Sequence, residues 1–418
     1  MKPLILVTAP VGTRSGYGSR SRDIVRALVK LDKYDVKVFN VPWGNTPQNA
    51  LMIGHPKDKP IIDNLLVNPN LDRQPDIHIH IVVPNEFQPY GKFNIGITAG
   101  LEATLIPKEW IEGCNRMDLV LASSNFSKEV LLKTVYEEKN QQGQVVNTLQ
   151  VNSPIEVLFE GVDTTIYKKT NEFSKMLQAE MNKVEETFNF LFVGHWLQGS
   201  LGNDRKDTGM LIKVFLETFK NQKKKPGLIL KTSGAGFSVL DREDILGKIE
   251  SIKQTVDGDL PNIYLMHGDF YDDEINELMN HPKVKTHINI THGEGFGRPL
   301  LEASMTEKPI IASSGTFVGE LVLKQSFVTI KAQSNNSIVQ PDHKSSTTPQ
   351  NYLGYWWSKA HRLCFLLNLS SQCMNYRLKK SKRLQTKTVF LQIQLGQEWV
   401  EFTRNNGLQA YSSAKTAE

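Results

Sequence analysis

Cysteine is scarce in this chain: Cys114, Cys364 and Cys373 are the only three in 418 residues. They form an odd set with no paired spacing, so neither a disulfide framework nor a zinc site follows, and the composition fits a cytoplasmic protein. Long apolar runs are missing from the start as well. Leu4-Ile-Leu-Val-Thr-Ala9 follows a lone Lys2 and is too short for a transmembrane helix or a signal peptide, so it reads as a buried first strand. The body of the chain also lacks the basic excess that the net charge of +5 implies. From His343 to Glu418 there are eleven Lys or Arg against three acids, a local +8 that leaves −3 for residues 1–342. Net charge therefore gives no support to nucleic-acid binding by the body.

At 39% hydrophobic composition the chain has enough apolar material for a large core, and its length favours two domains. Short apolar runs alternate with helical patterns through the first third. Strands are expected over 4–8, 35–40, 77–83, 94–98 and 119–123, with a helix over 21–31. A second array runs from Phe188: strands over 190–193, 228–231, 263–266, 285–290 and 309–313, with helices over 209–219, 242–256 and 272–279 and one opening near Pro299. Strands alternating with helices imply parallel sheets covered on both faces. The pattern predicts an α/β fold of two doubly wound, Rossmann-like domains facing a central cleft. The expected boundaries are 1–167 for an acceptor-side domain, 168–187 for a polar linker, 188–335 for a ligand-binding domain and 336–418 for a basic tail. The Gln- and Asn-rich stretch 137–153 reads as a surface hairpin or insertion, and no repeat of solenoid length is visible.

The segment Thr291-His-Gly-Glu-Gly-Phe-Gly-Arg-Pro-Leu-Leu-Glu-Ala303 carries the chemistry. Three glycines between a strand pattern and Pro299 mark a strand-to-helix turn, where backbone approaches a ligand closely and helix N–H groups face anions. Glu302 is expected in the first helical turn, where a favourable dipole interaction alone would account for it. Glu294 has no such explanation, because before the turn it would repel a phosphate unless it faced hydroxyls. Two carboxylates flanking a phosphate-binding turn suit a ligand with phosphates in the middle and sugars at both ends.

Glu294, seven intervening residues and Glu302, followed by Lys308-Pro-Ile-Ile-Ala-Ser313, resemble the E-x7-E signature of the large retaining glycosyltransferase family with the GT-B fold (glycosyl transferases group 1, family 4-like). Phe192-Val-Gly-His195 ahead of Arg205-Lys206, Leu230-Lys-Thr-Ser-Gly-Ala-Gly236 and Glu160-Gly-Val-Asp163 follow in the family's order, and the likeness covers residues 1 to about 330. The resemblance implies that Glu302 holds ribose hydroxyls and Glu294 contacts the transferred sugar. The backbone of Gly295, Phe296 and Gly297 would line the sugar and diphosphate, with Gly194 at the end of its strand. Arg205 and Lys206 would neutralise the departing diphosphate; a solvated pair before a helix is the plainer alternative, and cations there oppose the helix dipole. The stretch Thr13 to Arg20 resembles the family's glycine loop, with Gly16 and Gly18 turned to the diphosphate. Thr98 and Glu102 would lie on the acceptor side, where family members often carry a histidine that this chain lacks. Asparagine usually stands in the family at the position of Glu160.

The implied activity is transfer of a sugar from a nucleotide-diphosphate donor to a hydroxyl of a sugar, lipid or protein acceptor, with retention and without metal or other cofactor. Peripheral membrane contact stays open because many relatives act on lipid-linked sugars, although no amphipathic basic helix in residues 1–342 argues for it. Three rivals stand beside this reading. Gly16-x-Gly18 with Ser21 is a near miss to a dinucleotide fingerprint, but the loop after Thr8 is too long for it. A sugar-nucleotide epimerase or a phosphorylase would share the fold, and the phosphorylase is disfavoured because no lysine in an evident motif is placed to anchor a pyridoxal cofactor. A catalytically impaired nucleotide-sugar binder would result if the basic tail does not supply a C-terminal helix. That tail is either a loosely ordered extension or the product of a reading-frame error. His78 and His80 sit two apart without a third ligand and read as structural.

Overall fold

The computed structural model describes residues 2–313, apart from 69, 101–103, 198, 200 and 235, together with the backbone of 328–330, 390–395 and 398–403. Glu102, Cys364, Cys373 and most of the basic tail lie outside the described residues. The chain divides into two compact units: Met1–Val162 with Gly293–Arg298, and Asp163–His292 with Pro299–Glu418.

The first unit is built from β1 (Leu4–Ala9), α1 (Gly16–Leu31), β2 (Asp35–Asn40), α2 (Lys59–Ile62), β3 (Ile77–Ile81), β4 (Phe93–Thr98), α3 (Lys108–Asn115), β5 (Leu119–Ala122), α4 (Asn125–Lys133), the hairpin strands β6 (Tyr136–Lys139) and β7 (Val145–Leu149), and β8 (Ile155–Val157). Its six-stranded sheet has the order β2-β1-β3-β4-β5-β8 and is parallel throughout. One face packs Ile5, Val7, Val36, Val38 and Ile79 beneath Val25 of α1. The other gathers Val120 and Ala122 with Phe87, Trp110, Ile111 and Leu131. Burial on both faces explains why β1 reads as an unbroken apolar run. The hairpin expected within 137–153 is present as antiparallel β6 and β7.

The second unit contains α5 (Lys175–Asn182), β9 (Asn189–Val193), α6 (Thr208–Phe219), β10 (Gly227–Lys231), α7 (Val239–Lys253), β11 (Ile263–Met266), α8 (Asp272–Asn280), β12 (Val284–Asn289), α9 (Arg298–Ser304), β13 (Ile310–Ser313) and β14 (Val328–Ile330). Its sheet is again parallel, in the order β11-β10-β9-β12-β13-β14. Phe190 and Phe192 point into a layer with Leu211, Phe215, Phe219 and Ile245, while Leu191 between them points into the opposite layer with Leu177, Met181, Leu278 and Leu300. The period of two on a strand covered by helices produces both cores. A separate antiparallel pair, β15 (Phe390–Leu395) and β16 (Glu398–Thr403), completes the described backbone.

Three local expectations change. The stretch 168–187, read as a linker, holds α5, whose Leu177 and Met181 are buried in the second unit. Helix α1 starts at Gly16 and not at Ser21, because Ser15 caps it by accepting from Gly18 N at 3.0 Å. Glu302 falls on the second turn of α9, since that helix begins at Arg298, so the first-turn dipole account of this carboxylate does not hold.

Candidate functional site

In a parallel sheet every strand ends at the same edge, so the connections after β9, β10, β11 and β12 meet there in the second unit. The connection after β12 is tied down first. Thr291 N donates to Asn289 Oδ1 at 3.2 Å, which turns the chain out of the strand. Thr291 Oγ1 and His292 N both donate to the carbonyl of Arg205, at 2.9 and 3.0 Å. His292 Nε2 lies 3.1 Å from Gly202 O and 3.6 Å from Asp207 Oδ1. The two bonds to the carbonyl of Arg205 hold the basic pair beside Thr291 and His292.

The pair itself divides. Lys206 is buried at 8% exposure, and a Cβ on Gly194 would come 3.8 Å from its Cε, while the side chain of Arg205 is exposed. Asp204 makes the local geometry possible by accepting from Thr208 N and Gly209 N at 3.1 and 3.5 Å, which caps α6. Asp207, the residue before the helix, adopts a left-handed φ of 55°. Such a conformation is uncommon outside glycine and marks a turn held by its surroundings.

Sequence reasoning missed further members of this edge. Lys231 closes β10 with 8% exposure; its Nζ donates to Gly268 O at 2.9 Å and lies 4.6 Å from the ring centre of Phe270 and 5.7 Å from that of Phe237. Asp241 accepts twice from Gly234 N and sits 2.7 Å from His267 Nε2, joining the turns after β10 and β11. The visible signal was a lysine ending the buried run Leu228-Ile-Leu-Lys231, where charge is unusual. Glu302 is buried at 7% on α9. A cavity of about 480 Å³ in this unit lies between α6 and α7, beside Trp196, Leu201, Asp204 and Lys248, and is lined by none of the expected site residues.

In the first unit, the loop before α1 is shaped by Arg22, whose Nη1 donates to Val11 O and Thr13 O at 3.0 and 2.6 Å. The two glycines of this loop play different parts. A Cβ on Gly18 would meet Thr13 O at 2.2 Å, so packing alone demands glycine there, whereas Gly16 has open space around it. Tyr17 OH lies 2.9 Å from Thr98 Oγ1 and accepts from Ala99 N at 3.0 Å, which fixes the fully buried Thr98 beneath the start of α1.

The segment Gly293–Arg298 belongs to this unit. Glu294 and Phe296 are each 5% exposed, and Gly297 has φ +79°, a value that favours glycine. A Cβ on Gly295 would approach Ala99 O to 2.5 Å, and Ser123 Oγ donates to Gly295 O at 3.0 Å. Arg298 pairs with Asp23 of α1 at 2.8 Å. Among the described residues no group of three or more His, Cys, Asp or Glu could hold a metal ion. His78 and His80 are buried; His78 Nε2 lies 3.0 Å from Thr8 Oγ1, and His80 Nδ1 accepts from Gln88 N. Among the same residues no helix is long and apolar enough to cross a membrane.

No protein-family model matches the chain, and no curated protein sequence matches it. Among solved structures it is similar to sucrose-phosphate synthase from Thermosynechococcus elongatus, with 11% identity and a TM-score of 0.51 over 80% of this chain and 87% of that one. HepE from Anabaena in complex with UDP-glucose matches at 16% identity and a TM-score of 0.49, over 76% and 82% of the two chains. The fold is that of GT-B glycosyltransferases: two Rossmann-like parallel α/β units.

Proposed function

We propose that this protein transfers a sugar from a nucleotide-diphosphate-sugar donor to a hydroxyl acceptor, with retention at the anomeric carbon. The observation that supports the reading best is the β12 to α9 connection: two buried carboxylates, Glu294 and Glu302, flank a glycine turn, and the basic pair is docked by backbone at its start. The vicinal hydroxyls of ribose and of a hexose donate hydrogen bonds that an ionised carboxylate accepts well. Glu302 takes the ribose and Glu294 the transferred sugar. The backbone of Gly295, Phe296 and Gly297 runs beside the sugar and diphosphate.

The leaving nucleoside diphosphate gathers negative charge as the glycosidic bond breaks. Fixed cations stabilise that charge without reorganising, so Lys206, held in a dry setting next to Gly194, is the stronger contributor, and Arg205 adds to it from solvent. Gly16 leaves room for a phosphate at the start of α1, and Gly18 keeps the loop closed beneath it. Thr98, expected on the acceptor side, is fully buried and bonded to Tyr17, so it supports the start of α1 from beneath and does not itself meet an acceptor. Glu294 positions and stabilises the developing oxocarbenium centre and forms no covalent bond. The donor base and sugar are to be found by a thermal-shift screen of UDP-, GDP- and ADP-sugars.

Calorimetry with the best donor tests the reading. Glu302→Ala is expected to weaken binding by about 1.5–3 kcal/mol, the range for hydrogen bonds to a charged group, and Glu294→Ala to remove transfer while the fold is kept. If no nucleotide-sugar binds, or if either variant turns over at the wild-type rate, the assignment is wrong. Binding without turnover in the wild type would instead identify a nucleotide-sugar binder.

A further inference from the structure

The first unit holds a buried ion pair that neither the fold nor the proposed roles account for. Arg20, on the second turn of α1, and Glu160, three residues past β8, have side chains only 5% and 6% exposed. Arg20 Nη2 is well bonded, donating to Leu158 O at 2.7 Å. Its Nη1 is not: it lies 3.6 Å from Glu160 Oε1, too far for a hydrogen bond, and is buried with no other partner. A buried pair without good geometry does not recover its desolvation cost, so an arrangement this loose is poised for exchange.

The surroundings say for what. Arg20 lies one turn after Gly16 on the same face of α1, and the space over Gly16 is open. The charged groups that act on Glu160 are Arg20 and Asp23 from α1 and Glu294 and Arg298 from the 293–298 segment, while Tyr17 of α1 acts on Arg20. Three carboxylates face two guanidiniums, a net −1 when all are ionised. Burial is the main cause that pushes the Glu160 carboxyl up from its ordinary range, with Asp23 and Glu294 adding to it against the two arginines. Burial likewise presses Arg20 down, with Glu160 opposing. The Glu160 segment can yield, since Leu158 and Phe159 are exposed and Gly161 has open space around it.

We propose that Glu160 is a displaceable counter-ion for Arg20: a phosphate oxygen of the incoming ligand takes its place on Nη1, and Glu160 leaves as a neutral acid carrying a proton from solvent. The oxyanion subsite rests on the glycine-loop role proposed above, and it adds a proton-coupled control that the loop alone lacks. The ligand is a diphosphate or another phosphate-bearing group.

Inorganic pyrophosphate is the probe. Titration calorimetry near neutral pH, repeated in buffers of different ionisation enthalpy, is expected to show proton uptake on binding to the full-length protein. Glu160→Gln, neutral and of the same shape, should bind several-fold tighter with no uptake. Arg20→Met should bind at least tenfold more weakly, and Arg20→Lys should restore part of the loss; circular dichroism identifies any variant that has unfolded. Glu302→Ala should leave the pyrophosphate response intact, so loss of nucleotide-sugar recognition and loss of this subsite are separate results. The proposal is overturned if pyrophosphate does not bind the wild type, if binding takes up no proton, if Glu160→Gln keeps the uptake, or if folded Arg20→Met binds normally.

Discussion

Gly16 and Gly18 show how far a single residue type can mislead. Both belong to the glycine loop as read from sequence, yet a Cβ on Gly18 would collide with backbone at Thr13 and Pro10, while one on Gly16 meets nothing. Gly18→Ala is therefore expected to destabilise the first unit by about 1–3 kcal/mol, the usual cost of overpacking. Gly16→Ala lies at a helical position and should be neutral or stabilising by up to about 1 kcal/mol, while weakening ligand binding. Denaturant unfolding of both variants checks this, and equal losses of stability would remove the distinction. The same scale holds the limits of the sequence reading: Arg205 and Lys206 look equivalent as neighbours, and only burial separates them.

At the level of elements, α6 is the part on which the basic pair depends. Its N-terminus is held by Asp204, four residues before Thr208, so the chain from 204 to 207 is pinned between a cap and the docked Arg205 carbonyl. Asp204→Ala is expected to cost about 1 kcal/mol of stability and a larger share of donor affinity, because Lys206 loses its fixed position. A stability loss without any change in affinity would show that the cap and the pair are independent. Deeper in the same helix, Phe215 is fully buried, with ring centres 5.9 Å from Phe190 and 5.0 Å from Phe219. Phe215→Ala should cost about 3–5 kcal/mol, measured by denaturant midpoint, and a loss below 1 kcal/mol would contradict the packing. Helix and strand positions in this half were largely legible because apolar residues recur with clear periods. The starts of α1 and α9 were not, because capping by Ser15 and entry at Arg298 are set by local hydrogen bonds and turn geometry that apolar periodicity does not register.

For the molecule as a whole, buried histidines set the response to acid. Burial lowers His78 to about 4, His80 to about 3 and His287 to about 3, with His78 adding to the effect on His80 and Lys308 to that on His287. Each stays neutral in the folded state while the unfolded chain takes up protons below about 6.5. Stability from these groups is thus fully present above that value and is lost as pH falls, each group contributing up to about 1.4 kcal/mol per pH unit. Denaturant unfolding between pH 7 and 5 should show the decline, and His287→Gln should flatten it by one group's share; stability constant to pH 5 would refute the account.

The sequence by itself determined the α/β class, the two parallel arrays and the carboxylates around the turn at Gly295, because periodicity and glycine placement are local properties of the chain. Only the tertiary structure decided that Lys206 is buried while Arg205 is exposed, that Lys231, Asp241 and His267 gather at one edge of the second sheet, and that Arg20 meets Glu160 across 140 positions of sequence. Burial and charge pairing depend on which strands become neighbours, and that is settled by packing of the whole sheet.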